Sequence, residues 1–348
     1  MGTAVDSTVE NEQERTIPST RKKRMGIGTM LALDALCIAV GLNVFAWFHH
    51  VRDYYFPTET AEAAPITLIT PTPQPTPAPE TTPEAEATEP PRVYSGVWGE
   101  KFADKFTDGE VEQTEYSYRS ENVFVTVTPV KTQNLSYTVA DIYISDLKYL
   151  RTAFGPKGYG SRGYTADLAQ ANGAVVALSG DYYSFRREGV VVRNGTLYRD
   201  TRFDDVCILL GDGRMVTIPN SELDIDALKE ASPWQVWSFG PRLLEDGKAM
   251  TSFNSTVVRA NPRAAIGYVE PGHYYFVQVD GRNKNGSRGM TMQQLAQLFE
   301  ELGCETAYNL DGGETAGIAW MGELLSYAYG RTVSDIIYIT DQSADTEG

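Results

Sequence analysis

Histidine and cysteine are scarce in this chain. Its three histidines, His49, His50 and His273, form no cluster. A histidine-based triad or zinc site is therefore nearly excluded, and acid–base work falls to carboxylates. The three cysteines, Cys37, Cys207 and Cys304, show no Cys-x-x-Cys or Cys/His metal spacing. Cys207 and Cys304 lie in apolar runs and are expected as buried free thiols. Positive charge is also short. The net charge is −16, although four cations sit together at Arg21-Lys22-Lys23-Arg24. The remainder is more acidic still, which argues against nucleic acid as a partner. No Gly-x-Ser-x-Gly nucleophile elbow is present. Gly155-Pro-Lys-Gly-Tyr-Gly160-Ser161-Arg162 is glycine-rich, but it lacks the Lys-Ser/Thr ending and follows no buried strand, so it is not a P-loop.

What is present divides the chain into segments. Residues 1–24 are polar and read as a disordered cytoplasmic tail. Residues 25–48 (Met25 to Phe48) are apolar enough to span a bilayer. The basic cluster ahead of them predicts a single-pass signal anchor at the cell membrane, N-terminus cytoplasmic and the remainder outside. Residues 49–91 form an extracellular Pro/Thr-rich linker with too little apolar surface to fold. Residues 92–342 have globular composition and 343–348 a disordered tail. Strand candidates are dense between them, and helix candidates are few: Thr165 to Asn172, Asp224 to Ala231 and one from Thr291. The fold expected is α+β or mixed α/β: a single large domain whose mixed sheet contains a βαβ unit.

That unit is the run Tyr274 to Gly313. Tyr274 to Val279 reads as a buried strand ended by Asp280-Gly281. Thr291 with Gln294 is a capping box, and Leu295, Leu298, Phe299 and Leu302 make one apolar helix face. Gly303 stops the helix, and Thr306 to Leu310 reads as a second strand, ended by Asp311-Gly312. Parallel strands joined by a helix bring their C-terminal ends to one sheet edge. Asp280 and Asp311 are expected side by side there, about 4.8 Å apart if the strands are neighbours. Asp181 leaves the end of another apolar strand in the same way. Arg263, after Pro262, and Arg282 lie in stretches free of acidic residues and suit a small anion. Gly312-Gly313 offers backbone N–H groups, and Glu314 adds a carboxylate.

Five motifs occur in order: Ser179-Gly180-Asp181-Tyr182-Tyr183, Phe239-Gly240-Pro241 with Asp246-Gly247, Asn261-Pro262-Arg263-Ala264-Ala265-Ile266-Gly267, Val279-Asp280-Gly281-Arg282, and Asn309-Leu310-Asp311-Gly312-Gly313. Together they resemble the phosphodiester glycosidase family. Arg331-Thr332-Val333-Ser334-Asp335 is similar to its closing segment. The resemblance implies hydrolysis of a sugar-1-phosphodiester; joined to the anchor and linker, it predicts a membrane-anchored extracytoplasmic glycosidase in cell-envelope or exopolysaccharide metabolism. The alternatives are a non-catalytic sugar-phosphate binding module and a phosphodiesterase that attacks phosphorus. The family often follows Asp-Gly-Gly with small polar residues, whereas here Glu314 and Thr315 follow. In the expected site Asp280 and Asp311 supply the acid–base pair, with Asp181 in reserve. Arg263, Arg282, Gly312, Gly313, Glu314 and Thr315 surround the phosphate. No cofactor is required; a divalent ion at the acidic cluster stays open but is not indicated by the spacing.

Overall fold

The structure, a computed structural model, describes residues 97–342. Within them every strand pairing is antiparallel. The largest sheet has the spatial order β1 (Glu112–Gln113), β2 (Ser117–Arg119), β3 (Val123–Lys131), β4 (Ser136–Ile144), β15 (His273–Val279), β14 (Arg263–Glu270), β16 (Thr306–Asn309). A second runs β18 (Glu323–Leu324), β17 (Ile318–Trp320), β6 (Ala174–Ser179), β19 (Asp335–Thr340), β5 (Leu150–Phe154). The third runs β10 (Met215–Ile218), β9 (Val206–Leu209), β11 (Gln235–Trp237), β7 (Gly189–Arg193), β8 (Thr196–Thr201). A small ribbon joins β12 (Leu244–Glu245) to β13 (Lys248–Ala249). Three α-helices accompany them among the described residues: α1 (Thr165–Ala171), α2 (Ile225–Glu230) and α3 (Met292–Glu301).

The core follows from period-two alternation. Val123, Val125 and Val127 of β3 and Ile142 and Ile144 of β4 point to one face and are buried. There they meet Val176 and Leu178 of β6, Ile337 and Ile339 of β19, and Cys207, Leu209 and Trp237 of the third sheet. The other face of β15 packs Val277 and Val279 against Leu295, Ala296 and Phe299 of α3. That helix forms where its capping box predicts: Gln294 N–H donates to the Thr291 hydroxyl at 3.1 Å, and Thr291 N–H to the Gln294 side chain at 3.0 Å. Gly267 lets it approach, since a Cβ there would meet the Phe299 ring at 2.6 Å. Cys207 and Cys304 are buried free thiols, as expected.

The α/β expectation does not hold. The fold is mostly β and built of antiparallel sheets. The strands flanking α3, β15 and β16, do run parallel, but β14 lies between them and pairs antiparallel with both. Pro271-Gly272 is a tight turn joining β14 to β15. A local hairpin closes with less chain entropy than a crossover, so β14 takes the place beside β15. Asp280 and Asp311 are therefore two strand spacings apart, about 10 Å at the sheet, rather than one. The single transmembrane helix expected over 25–48 and the Pro-rich linker lie outside the described residues. Among the described residues, no helix is long and apolar enough to cross a membrane.

Candidate active site

The ends of β6, β7 and β19 meet around one buried guanidinium. Arg193, at the end of β7, donates from Nε to Asp335 Oδ2 at 2.7 Å and from Nη2 to Asp181 Oδ2 at 3.2 Å. Its Nη1 donates to the carbonyls of Val192 and Val236. Asp181 N–H donates to Asp335 Oδ1 at 2.7 Å, and Ser238 N–H to Asp181 Oδ2 at 2.9 Å. Both carboxylates are thus paired and hydrogen-bonded, the condition for keeping buried charge. Gly180 is required here, because a Cβ would collide with the Asp335 carboxyl.

Asp311 is held beside this cluster. Its N–H donates to the Gly180 carbonyl at 3.0 Å, which joins the end of β16 to the end of β6. Its side chain is buried, and Oδ2 has no hydrogen-bond partner among the described residues. Burial pushes its carboxyl up to about 7; Thr315, Arg331 and Arg186 restrain the rise, and Asp181 adds to it. A carboxyl of this kind exchanges protons near neutral pH. Asn309, two residues earlier, also has a buried side-chain oxygen without a partner, while its Nδ2 donates to the Gly240 carbonyl at 2.8 Å. Asp204 is pushed up to about 6, chiefly by burial, with the Asp205 N–H and Arg186 opposing.

Above these acids lies a platform of aromatic rings and arginines. Tyr182 and Phe185 stack at 4.6 Å, and Phe239 stands edge-on to Tyr182 at 6.1 Å. The Arg186 guanidinium lies 5.4 Å from the centre of Tyr182 and 4.5 Å from that of Phe203. Arg331 lies 4.9 Å from Phe185, and Arg162 lies 4.4 Å from the same ring. Cations on aromatic faces keep their charge available to an anion. The cavity beneath α2, bounded by Val190, Val192, Leu197, Ile225 and Leu228, contains none of these groups.

The other residues singled out from sequence are engaged elsewhere. Asp280 is buried, and its carboxylate accepts from Gln278 Nε2 at 2.9 Å, Tyr327 N–H at 3.0 Å and Asn285 Nδ2 at 2.8 Å. It ties two loops to the end of β15. Arg263, at the start of β14 between the two acids, donates to the carbonyls of Met290, Val257 and Arg259. Burial lowers its pKa to about 10. Arg282 pairs with Glu314 at 3.0 Å on the surface. Gly313 N–H donates to the Pro262 carbonyl at 3.0 Å, and Thr315 Oγ1 to the Gly312 carbonyl at 2.6 Å. The expected N–H nest at Gly312-Gly313 is thus partly spent inside the fold. Sequence reasoning missed Arg186, Arg193 and Asp204. Arg331 and Asp335 stand in the closing motif but carried no role. Only the Arg186-Arg187 pair among aromatics hinted at the platform. Among the described residues, no group of three or more His, Cys, Asp or Glu side chains is arranged to hold a metal ion.

Residues 172–340 match the model of the phosphodiester glycosidase family. That range includes Asp181, Arg186, Arg193, Asp311, Arg331 and Asp335. A SPbeta prophage-derived uncharacterized protein of Bacillus subtilis, YomE, is 29% identical over 237 residues, or 64% of this chain and 36% of that protein. The chain thus spans about a third of that relative's length. Among solved structures, the catalytic domain of zebrafish N-acetylglucosamine-1-phosphodiester alpha-N-acetylglucosaminidase, auto-inhibited by its pro-peptide, superposes with a TM-score of 0.53. It is 20% identical, and the match covers 67% of this chain and 88% of that one. At that identity the likeness is one of fold.

Proposed function

We propose, from the premise that the chain belongs to the phosphodiester glycosidase family, that it hydrolyses a sugar-1-phosphodiester at the anomeric carbon. The observation that carries this reading is the buried Asp311 carboxyl, with one oxygen unpartnered and Arg331 and Arg186 as its nearby cations. Asp311 takes a proton from the attacking water. The water oxygen bonds to the anomeric carbon as the carbon–oxygen bond to phosphate breaks. The electron pair leaves with the phosphate, whose charge Arg186 and Arg331 stabilise. The products are the free sugar and a phosphate monoester. Asp181, fixed in place by Arg193 and the Ser238 N–H, is the second carboxyl of the site, on the side of the sugar ring. The aromatic faces of Tyr182 and Phe239 suit the apolar face of a sugar.

The apolar stretch over 25–48, with its basic run ahead, supports a domain working outside a membrane, on envelope or exopolysaccharide material. The test of the reaction is hydrolysis of a sugar-1-phosphodiester by the full chain in heavy-oxygen water. Label in the sugar is expected. Label in the phosphate means attack at phosphorus, and binding without turnover means a silent module; either result overturns the reading.

A further inference from the structure

The loop Gly155–Arg162 is the glycine-rich motif to which the reaction assigns no task, yet it is a built feature. Gly158 N–H donates to the Gly155 carbonyl at 2.9 Å, Ser161 N–H to the Gly158 carbonyl at 3.0 Å, and Lys157 N–H to the Ser161 hydroxyl at 3.0 Å. Gly155 closes its neck, since a Cβ there would meet the backbone of Ser161 and Arg162 at 2.5–2.6 Å. Gly160 N–H donates to the Tyr183 hydroxyl at 3.2 Å, one residue from Tyr182. Just past the loop, Gly163 and Val333 exchange N–H bonds at 3.2 and 2.8 Å, two residues from Arg331. The loop is thereby pinned to both segments that carry the platform.

Its side chains extend that platform outward. Arg162 and Arg331 both lie over Phe185, at 4.4 and 4.9 Å. Arg162 makes no ion pair among the described residues. Tyr159 stacks between Tyr183 at 5.1 Å and Tyr198 at 5.0 Å, and Tyr159 and Tyr198 are each 41% exposed. One phosphodiester carries a single negative charge, which Arg186 and Arg331 already answer. A third guanidinium beside them, in a chain of net charge −16, has no internal counter-charge to explain it. With both faces covered, Tyr159 offers a further sugar its exposed edge and hydroxyl, and it braces the exposed Tyr198 ring, which can stack on that sugar.

We propose that the loop Gly155–Arg162, with Tyr159, Tyr198 and Arg162, is a second subsite that binds the adjacent sugar-phosphate unit of a repeating phosphodiester chain. The natural substrate is then a polymer of phosphate-linked sugars. This rests on the hydrolysis proposed above. The test compares kcat/KM of the full chain on a one-unit sugar-1-phosphodiester and on a three-unit oligomer of the same sugar. The wild type is expected to favour the oligomer by more than roughly tenfold. In the double variant Arg162→Gln, Tyr159→Ala that ratio is expected to fall close to one. A wild-type ratio near one, or an unchanged ratio in the variant, overturns the proposal. Binding of both compounds to Asp311→Asn by calorimetry separates this from failure of the reaction itself. A preference for the oligomer that the double variant loses supports the subsite even without turnover, and equal affinities sink it.

Discussion

Asp280 and Asp311 occupy similar positions, one and two residues past strands that run in the same direction, yet their surroundings are opposite. Three N–H donors surround the Asp280 carboxylate, and neighbouring Arg263 spends its Nε and Nη2 on backbone carbonyls. Asp311 is also buried but keeps one oxygen without a partner among the described residues. A satisfied buried carboxylate fixes loops; an unsatisfied one retains free energy that a ligand or a proton can claim. On the mechanism proposed above, Asp311 is the chemical group and Asp280 the brace.

The sharpest way to break this contrast is by rate. Asp311→Asn is expected to lower kcat on a sugar-1-phosphodiester by about 10²–10⁴-fold, the range for loss of a positioned acid–base group. Wild-type-like turnover in that variant would remove Asp311 from the reaction. Of similar size is the cost of undoing the cluster beneath. Arg193→Met leaves two carboxylates buried without their cation, a loss of about 3–5 kcal/mol measurable by urea unfolding. A loss below about 1 kcal/mol would mean that Arg193 does not hold Asp181 and Asp335.

Stability against pH sharpens the comparison further. The folded-state carboxyl of Asp311 is raised to about 7, above its ordinary value of 3.8. Its neutral form is favoured in the folded state, so no penalty exists below the ordinary value. The penalty grows as pH rises through about 7 and reaches about 4 kcal/mol at 1.36 kcal/mol per pKa unit. Asp311→Asn is therefore expected to gain stability over wild type at pH 8 but not at pH 4, read by paired denaturation curves. Asp280→Asn should do the reverse of Asp311→Asn. It should lose about 1–3 kcal/mol of stability through broken hydrogen bonds, with the smaller effect on kcat. The smallest effect is expected for Glu314→Gly. Its pair with Arg282 is solvent-exposed, and such pairs contribute about 0–1 kcal/mol. A thermal melt shifted by many degrees would contradict that.

Much of the scaffold was legible. The helix after Thr291 shows its capping box and apolar face in the letters alone, because both are local. The acids at Asp181, Asp280 and Asp311 were legible as strand-end residues for the same reason. The neighbour of β15 was misread: Pro271-Gly272 marks the hairpin, but the longer pattern from Tyr274 to Gly313 drew the crossover instead. Arg263 and Arg282 read as seats for a small anion, since a sequence does not display the carbonyls and carboxylate that reach them in the fold. Arg193 reads as an ordinary strand residue, and its partner Asp335 lies 142 positions away.

The amino-acid order alone determined where strands end, where α3 starts, and which residues carry the family likeness. Those properties depend on neighbours within a turn or two of chain. Which carboxyl is left unpaired, and which arginines stay available to an anion, was decided only by tertiary structure. Burial and hydrogen-bond satisfaction are set by groups that meet from remote parts of the chain, and proton affinity follows from both.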